Sequence, residues 1–110
     1  MIEIECHIII KRNGISFLDA VKTELLEEII KCGSLSSASK NLKISYQHAW
    51  NMIDLMNRVA SEPLVNLSRG GANGGGAIIT LYGKKTLKEF KLIEAEINKR
   101  VDQINVEINL

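Results

Sequence analysis

The chain has 110 residues, a formal net charge of +1, and is 45% hydrophobic and 25% charged, which suits one globular domain with a modest core. The near-neutral balance excludes a molecule coated with positive charge, and no apolar run approaches the length needed to cross a bilayer. Glu3 and Glu5 interrupt any basic-then-apolar leader, so a cytoplasmic protein with no membrane partner is expected.

Met1 to Arg12 alternates Ile2, Ile4, Cys6, Ile8 and Ile10 with Glu3, Glu5, His7 and Lys11, the period of a strand. Asn13-Gly14 is a turn signal, and Ile15-Ser16-Phe17 can pair back as a short second strand. His7 falls on the polar face of the first strand. From Asp19 to Cys32 the spacing predicts an amphipathic helix with Val21, Leu25, Leu26, Ile29 and Ile30 as its apolar stripe. Asp19 can cap its start, and Gly33 can end it in the left-handed conformation. Cys6 and Cys32 are too few for a disulfide framework. With His7 and His48 they show no zinc-ligand spacing, so no metal and no cofactor are expected.

Ser34 to Asn57 reads as two helices joined by a tight turn. Ser36 is the expected N-cap of a short helix from Ser37 to Leu42, Lys43 and Ile44 make the turn, and Ser45 caps a longer helix from about Tyr46 to Ala60. Ala38 and Leu42 share one face of the first helix; Ala49, Met52, Ile53 and Met56 repeat at helical spacing on the second. Ser39 is small enough for a close crossing, and Ile44 can plug the angle. This is the pattern of a helix-turn-helix over about 36–60, whose second helix enters the DNA major groove. An αα-hairpin within a core has the same periodicity. The helix leaves hydrogen-bonding side chains without acids at its start: Gln47, His48 and Asn51, with Tyr46, are the candidates for base contact. Tyr46 fits a base contact, a backbone contact or closure of the turn equally well. Trp50 is expected to pack against a neighbouring element, such as the hairpin that follows.

After Pro63, Leu64 to Leu67 and Ala77 to Leu81 are β-prone runs around a glycine-rich loop, a hairpin that beside a helix-turn-helix is a wing (about 64–81), with Gly70, Gly71, Asn73 and Gly74 in its loop. Between residues 34 and 85 the basic Lys40, Lys43, Arg58, Arg69, Lys84 and Lys85 outnumber the acidic Asp54 and Glu62, a local net charge of +4. Ser36, Ser45, Lys40, Lys43, Arg58 and Arg69 are the phosphate-contact candidates, Arg69 foremost because it stands at the base of the wing. The glycine run lacks the Gly-Lys-Ser/Thr ending of a nucleotide cradle, and no Ser-His-Asp or paired-carboxylate arrangement is visible, so no catalytic residues and no enzyme are expected.

Thr80 can cap a last helix running from about Leu81 to Asn109, some 40 Å long. Leu87, Phe90, Ile97, Val101, Ile104 and Ile108 recur at spacings near three and four, a short seam of the coiled-coil kind. A homodimer through Phe90, Ile97, Val101, Ile104 and Ile108 is expected; a helix folded back over its own core is the other reading.

Gly33-Ser34-Leu35-Ser36, Ala38-Ser39, Ser45-Tyr46-Gln47-His48-Ala49-Trp50, Met56-Asn57, Pro63-Leu64-Val65, the run from Gly70 to Ala77, and Leu81-Tyr82-Gly83 together resemble the N-terminal domain of the molybdate-responsive (ModE-type) transcriptional regulators. That domain carries a winged helix-turn-helix distantly similar to that of the LysR-type regulators. The resemblance spans nearly the whole chain. It implies a dimeric DNA-binding transcription factor, with the helix from Ser45 in the major groove, the wing at the backbone, and dimer contacts through the first and last helices. Full-length members carry molybdate-binding domains after this region; this chain stops at Leu110 and shows no oxyanion pocket, so molybdate is not expected as its own ligand.

The expected protein is therefore mainly α with a small β component: one winged helix-turn-helix domain over 1–110, with an N-terminal hairpin and a long C-terminal dimerisation helix. The expected function is a homodimeric regulator of transcription that binds double-stranded DNA, which the resemblance connects with molybdate uptake or metabolism. A protein-docking module on the same fold and a direct small-ligand sensor are the alternatives.

Overall fold

Asn13 and Gly14 both take positive φ, 52° and 79°, the backbone of a tight hairpin turn. They join β1 (Ile10–Arg12) to β2 (Ile15–Leu18) as an antiparallel pair in which Lys11 faces Ser16 and Arg12 faces Ile15. The computed structural model describes residues 2–68 and 76–110. Its further elements are α1 (Ala20–Cys32), α2 (Leu35–Asn41), α3 (Tyr46–Val59), β3 (Val65–Leu67), β4 (Ala77–Ile79) and α4 (Leu81–Glu107).

The first strand is shorter than the alternation from Met1 to Arg12 predicts. Pairing stops at Ile10, where the register shifts, because β2 offers only four residues to pair with. The preceding segment runs instead beside α4. Ile10 lines an apolar groove with Phe90 and Ile93 of α4. Six residues earlier, Ile4 donates its N–H to Asn105 Oδ1 at 2.6 Å and accepts from Asn105 Nδ2 at 3.0 Å. Six extended residues cover about 20 Å, and the helix rises by about the same between Phe90 and Asn105. The segment is thus stretched out antiparallel to α4.

Asp19 caps α1 by accepting from Lys22 N, and Gly33 closes it at φ 72°. The buried face of α1 is Lys22, Leu25, Leu26 and Ile29, with Thr23 beside it. Val21 and Ile30, expected in the stripe, are exposed, each about a quarter-turn off that face. Lys22 takes the inner position because its stem packs while its Nζ reaches the Ser16 carbonyl at 3.1 Å. The second helix begins earlier than expected. Ser34, not Ser36, is the N-cap, accepting from Ser37 N at 3.0 Å, which sets Leu35 into the core as the first helical residue.

β3 and β4 pair antiparallel, Val65 opposite Ile79 and Leu67 opposite Ala77. A bridge between Ser34 and Gly76, with Ala77 N donating to Gly33 O, fastens this hairpin to the corner between α1 and α2. Leu25, Leu26, Leu35, Ala38, Ala49, Ile53, Met56, Leu64, Val65 and Phe90, none more than 2% exposed, form one core under all four helices and both hairpins. Lys91 on α4 also reaches Glu27 on α1 at 3.0 Å. Thr80 caps α4 as expected, accepting from Gly83 N. The helix ends at Glu107, two residues short of the expected Asn109. The architecture is a winged helix-turn-helix, mainly helical, with two small hairpins.

Candidate nucleic-acid interface

Between α2 and α3, Lys43 adopts φ 59° and turns the chain sharply, its N–H donating to Lys40 O. Ile44 N then donates to Ser39 O at 3.0 Å, and the Ile44 side chain packs half-buried against the core. Ser39 is buried, and its hydroxyl donates to Ser36 O at 2.8 Å. A larger side chain there would hold α2 and α3 apart.

Ser45 caps α3 by accepting from His48 N at 3.0 Å. Tyr46, Gln47, His48 and Asn51 are all exposed, whereas Ala49, Met52, Ile53 and Met56 are buried. The core face is apolar and the outer face of the first turns is uncharged and rich in amides. Gln47 Nε2 donates to Asn51 Oδ1 at 2.9 Å, so these two amides stand side by side one turn apart. No acidic residue occupies the first turn. The positive end of the helix dipole and the four outward-pointing side chains face the same way. Trp50 is half-buried against the core cluster rather than presented with them.

Lys40 and Lys43 are exposed at the turn, next to Ser45 and the start of α3. Ser36 is half-buried in the first turn of α2. Arg58 is at the far end of α3, about 20 Å from Ser45 along the axis, and its Nε is paired with Asp54 at 3.1 Å. It is not gathered with the other basic candidates. Arg69, Gly70, Gly71, Asn73 and Gly74 lie outside the described residues. The base of the wing is described: Ser68 N donates to Gly76 O at 2.9 Å and Gly76 N to Ser68 Oγ at 2.9 Å, which brings the two ends of the loop together.

The seam expected on α4 divides. Phe90, 1% exposed, packs with Leu87 in the domain's own core, because the first three turns of α4 lie against it; Phe90 is corrected from a dimer residue to a core residue. Val101 is also buried, on the face that carries Asn105 one turn later. Ile97 is exposed, and Ile104 and Ile108 are half-buried.

Three residues that organise the site were not among the candidates. Asn57 accepts from Leu64 N at 2.9 Å and Val65 N at 3.3 Å and donates to Val65 O at 2.9 Å, binding α3 to the first strand of the wing. A poor helix former inside α3 was the available signal. Gly83 lets α4 press on the Leu64 carbonyl, and Asn105 holds the N-terminal segment. Among the described residues no group of His, Cys, Asp and Glu is placed to hold a metal ion, and no helix is long and apolar enough to cross a membrane.

No family model matches the chain. It is 40% identical over 85 residues to the transcriptional regulator ModE of Haemophilus influenzae, a match covering 77% of this chain and 33% of that protein. It is 37% identical over 92 residues to the molybdenum transport protein ModE of Azotobacter vinelandii, covering 84% and 34%. With the DNA-binding transcriptional dual regulator ModE of Escherichia coli (strain K12) the identity is 35% over 89 residues, covering 81% and 34%. The chain thus spans about a third of the length of these relatives. Among solved structures it is similar to the full-length LTTR LysG from Corynebacterium glutamicum, with a TM-score of 0.56 and 22% identity over 82% of this chain and 30% of that one. The likeness shows that the LysR-type winged helix fold is shared.

Proposed function

We propose that this chain, homologous to the ModE transcriptional regulators over most of its own length, is a homodimeric unit that reads operator DNA with α3. The observation that carries the reading is the opening of α3. Four hydrogen-bonding side chains, Tyr46, Gln47, His48 and Asn51, are exposed on a rigid helix whose other face is fixed in the core. Such a helix enters the major groove N-terminus first. Gln47 and Asn51 have the donor–acceptor pair that matches adenine, and His48 can donate to guanine or to phosphate. Lys40 and Lys43 flank that end and supply charge for the backbone, with the Ser45 and Ser36 hydroxyls nearby in the same two helices. The wing formed by β3 and β4 approaches the adjacent backbone, with Arg69, Gly70, Gly71, Asn73 and Gly74 of the intervening sequence as its contact candidates.

Two copies related by a two-fold axis read two half-sites. Ile97, Ile104 and Ile108 remain available on α4 for the partner. One of the relatives is named a molybdenum transport protein, which makes operators of genes for molybdate uptake or handling the first to test. Fluorescence anisotropy with labelled operator fragments and scrambled duplexes, across a salt series, tests the reading. Salt-dependent binding with sequence preference supports it. Absence of any duplex binding would instead fit a protein-docking module, and a thermal shift with molybdate or tungstate would favour a ligand sensor.

A further inference from the structure

We propose that residues 3–9 of two copies pair as antiparallel strands about a two-fold axis at Cys6, so that the N-terminal segment is itself part of the dimer interface. This rests on the homodimer reading and names where the copies meet. The segment is extended along α4, and only Ile10 to Arg12 belong to a paired strand. Asn105 takes both backbone polar groups of Ile4 on one edge. In an extended chain, neighbouring residues point their backbone groups to opposite edges. The N–H and C=O groups of Glu3, Glu5, His7 and Ile9 therefore face the other edge, and none of them is bonded within the described residues.

The sequence is self-complementary about Cys6. Glu5 comes opposite the second copy's position 7, a histidine, and Glu3 opposite position 9, an isoleucine; these pairs exchange the free backbone bonds. On the other face Ile4 meets position 8, also isoleucine, and Cys6 meets its own copy in the closer, non-hydrogen-bonded spacing. The acid and the histidine that would face one another both stand at the surface, each 79% exposed, and their contact within one copy, His7 Nε2 to Glu5 Oε1 at 3.4 Å, is a solvent-open one that pairing across the axis would replace. Ile9 is 57% exposed and Cys6 is exposed as well. No other register about a single residue of this segment aligns Glu5 with His7 and isoleucine with isoleucine together. Because each segment has its own α4 on the edge that Asn105 holds, the paired strands form a ribbon between the two long helices, with the axis at about the level of residue 101. A charged, exposed, unpaired strand edge is a device against uncontrolled pairing unless the partner supplies the opposite pattern, and here a second copy does.

The test is disulfide trapping in the full chain carrying Cys32→Ser, oxidised with diamide, which takes up the two hydrogens of the paired thiols. Cys6 should trap a covalent dimer rapidly, because the paired Cα atoms fall within bridging distance. A Cys6→Ser, Cys32→Ser chain with Glu3→Cys should not, since positions 3 and 3 of the two copies would be about 20 Å apart. In sedimentation, Glu5→Lys alone and His7→Glu alone should weaken self-association, and the two together should restore it. A dimer in sedimentation that traps equally through positions 3 and 6, or ignores the charge swap, overturns this proposal and leaves the homodimer standing. A monomer at every concentration, on duplex DNA as well as free, overturns both.

Discussion

Gln47 and Asn51 are joined by a hydrogen bond of 2.9 Å across one turn of α3, so the two amides proposed to read bases orient one another before DNA arrives. Each replacement with Ala should cost about 1–3 kcal/mol in operator affinity if the contact is bidentate. The two losses should not add, because removing one amide also releases the other. Anisotropy titrations of both single variants and the double variant on operator and on base-substituted duplexes measure this. Strict additivity would mean the pair acts as two separate contacts.

Lys43 separates affinity from stability. A lysine at φ 59° pays a conformational cost of about 1 kcal/mol that glycine avoids. Lys43→Gly should therefore leave melting unchanged or raise it, while weakening binding to every duplex alike and lowering the salt slope by about one counterion. A stable variant that binds DNA normally would remove Lys43 from the phosphate contacts.

Asn57 makes three hydrogen bonds to the backbone of Leu64 and Val65. Asn57→Ala leaves those groups partly buried and unpaired, at about 2–4 kcal/mol. For a domain of this size that is a fall of about 10–20 °C in melting temperature. Asn57→Asp keeps the acceptor and loses the donor, and should fall between. Calorimetry on the three proteins orders them.

Much of this architecture is legible in the residues alone. Ser45, Asp19 and Thr80 are caps whose hydroxyl or carboxyl has one local task, and Asn13-Gly14 dictates its turn; local chemistry decides these elements, so spacing finds them. The segment before Ile10 is different. Its alternation is that of a strand, yet the one residue of it whose backbone groups are bonded among the described residues, Ile4, is held by Asn105, a hundred residues away, and no local pattern announces that. Phe90 misled for a related reason. A seam at three-and-four spacing marks a face that packs, but not whether the packing partner is the chain's own core or a second copy. Ser36 lost its capping role to Ser34 because Leu35 had to enter the core, a tertiary demand that outweighs the near-equal capping ability of two serines.

Glu28 accepts from Asn41 Nδ2 at 2.8 Å and from the Cys32 thiol at 3.4 Å. The Asn41 bond first, then the thiol, hold its carboxyl below the usual range. Burial first, with the carboxylate beside it, pushes the Cys32 thiol up. A carboxylate depressed by folding adds stability above its unfolded pKa, and this is lost as pH falls through the folded value. Melting temperatures from pH 7 down to 3 should therefore decline less steeply in Glu28→Gln than in the parent. At pH 8, Cys32 should alkylate more slowly than the exposed Cys6, and Glu28→Gln should narrow the gap; mass-spectrometric labelling reads both.

Gly83 offers a test of sign. In an exposed helix, glycine to alanine stabilises by about 1 kcal/mol. At Gly83, however, a Cβ would overlap the Leu64 carbonyl oxygen and stand 2.9 Å from Ile79 Cγ2. That carbonyl also accepts from Thr80 N at 2.9 Å, so it cannot retreat without releasing the start of α4. Forcing a methyl against fixed backbone costs about 1–3 kcal/mol beyond any propensity gain, so Gly83→Ala should unfold at lower denaturant with an unchanged m-value. It should also weaken operator binding in proportion to any displacement of the segment that Asn57 holds from the other side, because α3, residues 63–65 and α4 are packed in series. A variant more stable than the parent would show that α4 stands off from Leu64, and the link from the long helix to α3 would have to run elsewhere.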